Sequence, residues 1–222
     1  MALLLVAVTA GTSLPLQQQH SASGSTTSAA PTPSARVLVV GDSFTSGTKI
    51  GGFGADNWVR LALAEQDLDV DAVIEAGGGS GYNRGGLRGL TFEQLAAEGG
   101  TGFDLVVFFG SVNDAGGVLE GARAAFVTTQ TASPDAELLV IGPTWVAEGL
   151  PAKVVAGRDA LVRATAEFGG TFVDALDEGW FSEATGLIGG DRIHPTDKGH
   201  RYLADRIGPH LQDALDALDA TA

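Results

Sequence analysis

Five short apolar runs, separated by stretches of helical periodicity, constrain the fold of this chain more than any other feature of the sequence. The runs are rich in Val, Leu, Ile and Phe, and three of them end in glycine. They occupy Arg36–Gly41, Ala72–Ala76, Phe103–Gly110, Glu137–Gly142 and Thr171–Asp174. Continuous apolar runs of this length are typical of β-strands that are buried on both faces.

The segments between these runs carry apolar residues at helical spacing. Helices are predicted over Asn57–Gln66, Val118–Thr129, Pro151–Phe168 and Thr196–Leu218. The regular alternation of strand and helix predicts a three-layer α/β/α sandwich around a five-stranded parallel sheet. In such sheets, binding sites form at the carboxyl ends of the strands.

The first 35 residues contain no Asp, Glu, Lys or Arg. Residues 1–10 (MALLLVAVTA) form an apolar run that is too short to span a membrane, and they end in a small-x-small pattern of the kind that signal peptidase cleaves after. Residues 11–35 are rich in Gln, Ser, Thr, Ala and Pro, which is typical of flexible linkers. We therefore predict a truncated signal peptide over 1–10, a linker over 11–35, a folded domain over 36–222 and a secreted protein. Because no basic residue precedes the apolar run, a frayed apolar terminus is the alternative.

The composition excludes several classes of protein. Acidic residues outnumber basic ones 27 to 13, and the net charge of −14 opposes binding to the phosphates of nucleic acids or to anionic lipid. The chain has no cysteine, which excludes disulfides, zinc–thiolate sites and cysteine nucleophiles.

A tight, glycine-flanked turn, Gly41–Gly47 (GDSFTSG), follows the first predicted strand. A serine between a strand and a helix exposes its hydroxyl, keeps its amide free and lies in the partial positive charge of the helix N-terminus. Ser43 is therefore a candidate nucleophile whose own N–H can help to hold an oxyanion. The alternative is an ordinary turn with a capping serine.

Two further strand ends carry groups that can hold negative charge. The glycine-rich loop Gly77–Gly86 (GGGSGYNRGG) follows the second strand, and its backbone N–H groups can approach a ligand closely. It lacks the spacing of phosphate-binding glycine motifs, so a nucleotide site is disfavoured, and a merely flexible loop is the alternative. Asn113 and Asp114 follow the third strand; the Asn113 amide can donate to a developing negative charge, although Asn-Asp is also a common turn pair.

Asp191 and His194 stand three residues apart in the sequence DRIHP. On a loop, this spacing lets the carboxylate reach one imidazole nitrogen while the other nitrogen faces a substrate. Such a pair can supply the base, and the acid that orients it, in a Ser-His-Asp relay. The other histidines fall in the linker (His20) or in the last helix (His200 and His210).

Together, these motifs resemble those of the SGNH (GDSL) hydrolase family over about residues 36–217. The resemblance implies a flavodoxin-like fold and a catalytic triad of Ser43 as nucleophile, His194 as general base and Asp191 as the residue that orients the base. It also implies an oxyanion hole, and the Ser43 amide is one of its donors. The other donors are the side chain of Asn113 and a glycine amide of the second block.

The second block identifies that glycine through its Ser-Gly pair. Ser80 is followed by Gly81, which makes Gly81 the first candidate and Gly79 the next. The block opens with Glu75, where the family usually has Asn.

The resemblance implies hydrolysis of a carboxylic ester through an acyl-enzyme on Ser43, without a metal or an organic cofactor. Trp145 and Trp180 are candidate walls of the substrate pocket, although each could equally belong to the core. The chain has no long apolar lid, so we expect a short-acyl esterase that acts on a small-molecule or carbohydrate ester. The alternatives are a lipid or thioester hydrolase, an acyltransferase of the same family, and a non-catalytic carbohydrate-binding module. Retention of the complete set of site residues argues against the binding module.

Overall fold

The computed structural model describes residues 35–110, 112–182 and 185–220. Within them, five strands form one parallel sheet: β1 (Ala35–Gly41), β2 (Val70–Ala76), β3 (Leu105–Phe109), β4 (Glu137–Ile141) and β5 (Thr171–Val173). Their order in the sheet is β2-β1-β3-β4-β5. This is the flavodoxin-like order of a doubly wound sheet, and it confirms the predicted fold class.

The helices lie in the connections between the strands and after the last strand, and each predicted helix is present. The helices are α1 (Ser43–Ser46), α2 (Trp58–Glu65), α3 (Phe92–Gly99), α4 (Val118–Ala132), α5 (Ala152–Glu167) and α6 (Asp197–Asp219), with a 3-10 helix over Gly54–Asp56. In the part of the chain that the structure describes, no helix is both long enough and apolar enough to cross a membrane.

Both faces of the sheet are buried, each in its own hydrophobic core. On β1, Val37 and Val39 belong to a core that includes side chains of α2 and α6. The alternate residues Leu38 and Val40 belong to a second core with α3, α4 and α5. Burial on both faces explains why the strand sequences are continuously apolar, and each such side chain contributes about 1.5–3 kcal/mol.

Helix α3 has no counterpart among the sequence predictions. Its signal is a capping box, in which the Thr91 side chain accepts from the Gln94 backbone and Gln94 Oε1 accepts the Thr91 N–H at 2.9 Å. Phe92, Leu95 and Ala96 then bury one face of the helix. The helix fixes the far end of the glycine-rich loop, because the Phe92 N–H donates to the carbonyl of Gly81.

The predicted signal peptide and almost all of the predicted linker lie outside the described residues. Ala35, the last residue assigned to the linker, belongs instead to β1, where it pairs with Val70 at the edge of the sheet.

Candidate active site

The turn after β1 places Ser43 at the N-terminus of α1. Asp42 caps this helix: its Oδ1 accepts the Phe44 N–H at 2.9 Å, and its carbonyl accepts the N–H groups of Thr45 and Ser46. The Ser43 N–H has no acceptor among the described residues, as expected for the first residue of a helix. Ser43 is 9% exposed, so part of the residue remains accessible.

The Asp42 carboxyl group connects this turn to Asn113. It is 1% exposed, and its Oδ2 accepts a hydrogen bond from Asn113 Nδ2 at 2.9 Å. Burial raises the pKa of Asp42 from 3.8 to about 7, against the opposing effects of the Phe44 N–H and of the nearby His194. Asp42 therefore orients Asn113 while carrying less negative charge beside Ser43 than an ordinary carboxylate would.

The loop before α6 folds back on itself and presents His194. The Gly189 N–H donates to the carbonyl of His194 at 2.9 Å, and the Thr196 N–H donates to the carbonyl of Leu187 at 2.8 Å. The side chain of His194 is 27% exposed. The imidazole is thus held on a closed loop and can still be reached by a substrate.

Asp191 holds the imidazole ring in place. Its Oδ2 lies 2.6 Å from His194 Nδ1, and its Oδ1 accepts the N–H groups of Ile193 and His194, each at 3.0 Å. The hydrogen bond to His194, helped by these two N–H groups, lowers the pKa of Asp191 from 3.8 to about 2. The carboxylate is ionised at neutral pH, so it can accept a hydrogen bond from Nδ1–H, an arrangement in which Nε2 is the nitrogen available to act as a base.

Contacts between two loops bring the serine and the histidine to the same end of the sheet. A Cβ added to Gly189 would collide with the side chain of Ile50, and the Gly52 N–H donates to Asp197 Oδ1 at 2.9 Å. Among the described residues, no hydrogen bond joins the Ser43 hydroxyl to His194. In ligand-free sites, catalytic hydrogen bonds are often long and tighten only around the substrate.

The glycine-rich loop changes the choice of backbone donor. The Gly81 N–H donates to the carbonyl of Arg84 at 2.9 Å, so its hydrogen is already used inside the loop. The Gly79 N–H has no acceptor among the described residues, and its φ of +75° is one that glycine adopts readily. We therefore correct the sequence prediction: Gly79, and not Gly81, has the free amide.

Asn113 connects the glycine-rich loop to the serine turn. Its Nδ2 donates to the carbonyl of Ser80 and to Asp42 Oδ2, both at 2.9 Å. An amide nitrogen has two hydrogens, so a third acceptor must share one of them or displace the Ser80 carbonyl.

The two tryptophans suggested as pocket walls differ in position. Trp180 is 2% exposed, belongs to the core and donates from Nε1 to Glu178 Oε2 at 2.8 Å, so its assignment to the pocket wall is wrong. Trp145 is partly exposed on the loop after β4, and its Nε1 is buried without a hydrogen-bond partner among the described residues.

The arginines of the glycine-rich loop also take different positions. Arg88 is paired with Glu75 and Glu98, which gives Glu75 a structural role. Arg84 is exposed, and its Nη1 donates to the carbonyl of Asn113 at 3.4 Å.

A cavity of about 290 Å³ adjoins α1 on the side of β2. Ser46, Asn57 and Arg60 supply polar groups to its wall, and Ile74 and Ala76 supply apolar groups. The sequence analysis missed this cavity, because its lining comes from a helix, a loop and an edge strand that become neighbours only in the folded protein.

Comparisons with known proteins identify relatives of this chain. Residues 39–202 match the GDSL-like Lipase/Acylhydrolase family. The chain is 39% identical over 190 residues to GDSL lipase Rv0518 of Mycobacterium tuberculosis, and the match covers 81% of this chain and 82% of that protein.

Solved structures share the fold at low sequence identity. A carbohydrate esterase family 2 enzyme of Corynascus thermopiles matches with a TM-score of 0.64 and 18% identity, over 85% of this chain and 68% of that one. The psychrotrophic esterase EstA of Pseudoalteromonas sp. matches with a TM-score of 0.62 and 17% identity, over 82% of this chain and 99% of that one. The extent of the family match and the identity to the mycobacterial protein show that this chain belongs to the GDSL-like lipase/acylhydrolase family.

Proposed function

We propose that this protein is a serine esterase that hydrolyses small carboxylic esters, including acetyl esters of carbohydrates, through an acyl-enzyme on Ser43. The observation that carries the proposal is the pairing of Asp191 with His194 at 2.6 Å. This pairing leaves Nε2 of the imidazole on the side of the ring away from the carboxylate, on a loop that packs against the loop following the serine turn.

In the first half of the reaction, His194 Nε2 takes the proton of the Ser43 hydroxyl as Oγ attacks the carbonyl carbon of the ester. The ionised Asp191 stabilises the imidazolium that forms. His194 then returns the proton to the leaving alcohol, and the acyl group stays on Ser43. A water molecule repeats these steps, releases the acid and restores the free serine.

We assign three donors to the developing oxyanion. The N–H groups of Ser43 and Gly79 are free to donate, and the partial positive charge at the start of α1 adds to the field. Asn113 supplies the third donor when the oxyanion shares or replaces the Ser80 carbonyl as an acceptor of Nδ2. This exchange favours the charged transition state, because an oxyanion accepts a stronger hydrogen bond than a neutral carbonyl does.

The size of the cavity beside α1 favours a small substrate. Its volume of about 290 Å³ lies near the lower limit for ligand pockets. Its wall combines hydroxyl, amide and guanidinium groups with two aliphatic side chains, a mixture that suits a short acyl group or one sugar ring. Carbohydrate esters enter the proposal because carbohydrate esterases are among the solved structures that share the fold.

Turnover of 4-nitrophenyl acetate, butyrate and octanoate, and of an acetylated oligosaccharide, tests the proposal. We expect kcat/KM for acetate to exceed that for octanoate by about tenfold or more. Ser43→Ala should abolish turnover. Ser182→Ala, which removes an exposed hydroxyl elsewhere, should leave it unchanged. Absence of turnover with every ester would refute the esterase, and faster turnover of octanoate would refute the short-acyl preference.

A further inference from the structure

Asp114 is a buried acid for which the mechanism above has no use. It follows Asn113 directly and is 4% exposed. Its Oδ2 accepts the Tyr82 N–H at 3.0 Å, and its Oδ1 accepts the Asn83 N–H at 2.8 Å. Both donors are backbone groups of the glycine-rich loop, so one carboxylate from the Asn113 segment holds two successive amides of the other oxyanion-forming segment.

The contact leaves no free space between the two segments. A Cβ added to Gly81 would lie 2.5 Å from Asp114 Oδ2, closer than real Cβ contacts allow. A second connection uses a side chain of the loop, because Asn83 Nδ2 donates to the carbonyl of Gly116 at 3.2 Å. Together with the bond from Asn113 to Ser80, these contacts fix the separation of the two segments.

Two cations from other parts of the chain contact the backbone of the segment that contains Asp114. Lys153 Nζ donates to the carbonyls of Val112 and Asp114, and Arg84 donates to the carbonyl of Asn113. Burial raises the pKa of Asp114, whereas the two amide donors and the charges of Lys153 and Arg84 oppose that rise. The cations therefore favour the ionised form, which has acceptor capacity on both oxygens for the two N–H groups.

We infer that Asp114 is a positioning residue: its carboxylate ties the glycine-rich loop to the Asn113 segment and so sets the spacing between the Gly79 and Asn113 donors of the oxyanion hole. The inference rests on the proposed function. A buried carboxylate is expensive unless it is fully hydrogen-bonded. Its place here, between the two loops that carry oxyanion donors, favours a role in their alignment over a role in general stability.

Asp114→Asn is the direct test. Asparagine keeps the shape of the side chain, but its NH₂ group would face one of the two backbone N–H groups and could not accept that hydrogen bond. We expect kcat on 4-nitrophenyl acetate to fall by about 10²-fold, with KM changed by less than about threefold. Asp135→Asn is the matched control, because it makes the same chemical change at an exposed position in the turn before β4. The control should keep wild-type kcat.

A double-mutant cycle with Asn113→Ala separates positioning from a general structural effect. If Asp114 acts through the oxyanion hole, its replacement should lower kcat by only about tenfold or less once the Asn113 donor has been removed. Effects that simply multiply would overturn the inference while leaving the esterase proposal intact. Failure of the wild-type protein to turn over any ester would instead refute the proposed function.

Gly81→Ala tests the same contact from the other side and covers the case in which Asp114→Asn does not fold. The φ of Gly81 is not positive, so alanine is allowed there, and the three atoms nearest its Cβ all belong to the Asp114 carboxylate. We expect a similar loss of kcat with an unchanged KM. A folded Gly81→Ala protein with wild-type kcat would overturn the inference, and so would loss of folding in both variants, because that result would make the contact a requirement of the fold.

Discussion

Asp42→Asn tests the electrostatics of the nucleophile turn through the pH dependence of stability. In the wild-type protein, burial raises the pKa of Asp42 from 3.8 to about 7. The folded protein therefore holds a proton on Asp42 between about pH 4 and pH 7, where the unfolded chain has released it. Across this window, the contribution of Asp42 to the free energy of unfolding falls as the pH rises, and it is constant above the window.

The size of this change follows from the two pKa values. A pKa difference of about 3 corresponds to about 4 kcal/mol, as an order of magnitude. The asparagine that replaces Asp42 does not titrate, so the variant loses this dependence. The variant also carries a constant loss of about 1–3 kcal/mol, because its amide NH₂ faces the Asn113 amide where Asp42 Oδ2 accepted a hydrogen bond.

Urea unfolding of both proteins at several values of pH provides the assay. The unfolding free energy of wild type minus that of Asp42→Asn should fall by about 3 kcal/mol between about pH 4.5 and pH 8. The difference between the two proteins is the right quantity, because it cancels the titration of groups that do not interact with Asp42. A difference that stays flat over this range would refute the buried, proton-retaining Asp42.

Three further predictions concern the histidines and Asp191. His194→Ala should fold normally and lose kcat by about 10³-fold or more, as seen when a triad base is removed, and wild-type kcat would exclude His194 as the base. Asp191→Asn should lower kcat by about 10⁴-fold, because asparagine favours the wrong tautomer of His194. In the wild type, Asp191 has a pKa of about 2 and should stay ionised throughout a kcat/KM profile measured above about pH 4. His200 is fully buried, its ring nitrogens have no hydrogen-bond partner among the described residues, and burial lowers its pKa from 6.5 to about 4. The unfolding free energy of wild type minus that of His200→Gln should therefore rise by up to about 3 kcal/mol from about pH 4 to pH 6.5, and urea unfolding that shows no rise would contradict this placement.

The fold could be predicted because its strongest signals are local. Burial on both faces forces a strand such as Leu105–Phe109 to be apolar at every position, and that pattern is visible without any knowledge of its neighbours. Helix α3 was missed because it is only eight residues long, and its capping box is a weaker signal than an apolar run.

The site was predictable where chemistry depends on residue type and short spacing. Asp191 and His194 are three residues apart and meet directly, so the sequence is sufficient to pair them. The choice between Gly79 and Gly81 depends on a backbone hydrogen bond inside the loop, which the residue types do not reveal. Trp180 could not be placed for a similar reason, since a large aromatic side chain suits a pocket wall and a core equally well.

Labelling with a fluorophosphonate, followed by peptide mass spectrometry, tests the nucleophile most directly. The reagent reacts with a serine only when a base and an oxyanion hole activate it. We predict one adduct per chain, on the peptide that contains Ser43, with loss of 4-nitrophenyl acetate hydrolysis in proportion to labelling. An adduct on another residue, or full hydrolytic activity in a protein labelled at Ser43, would contradict the account.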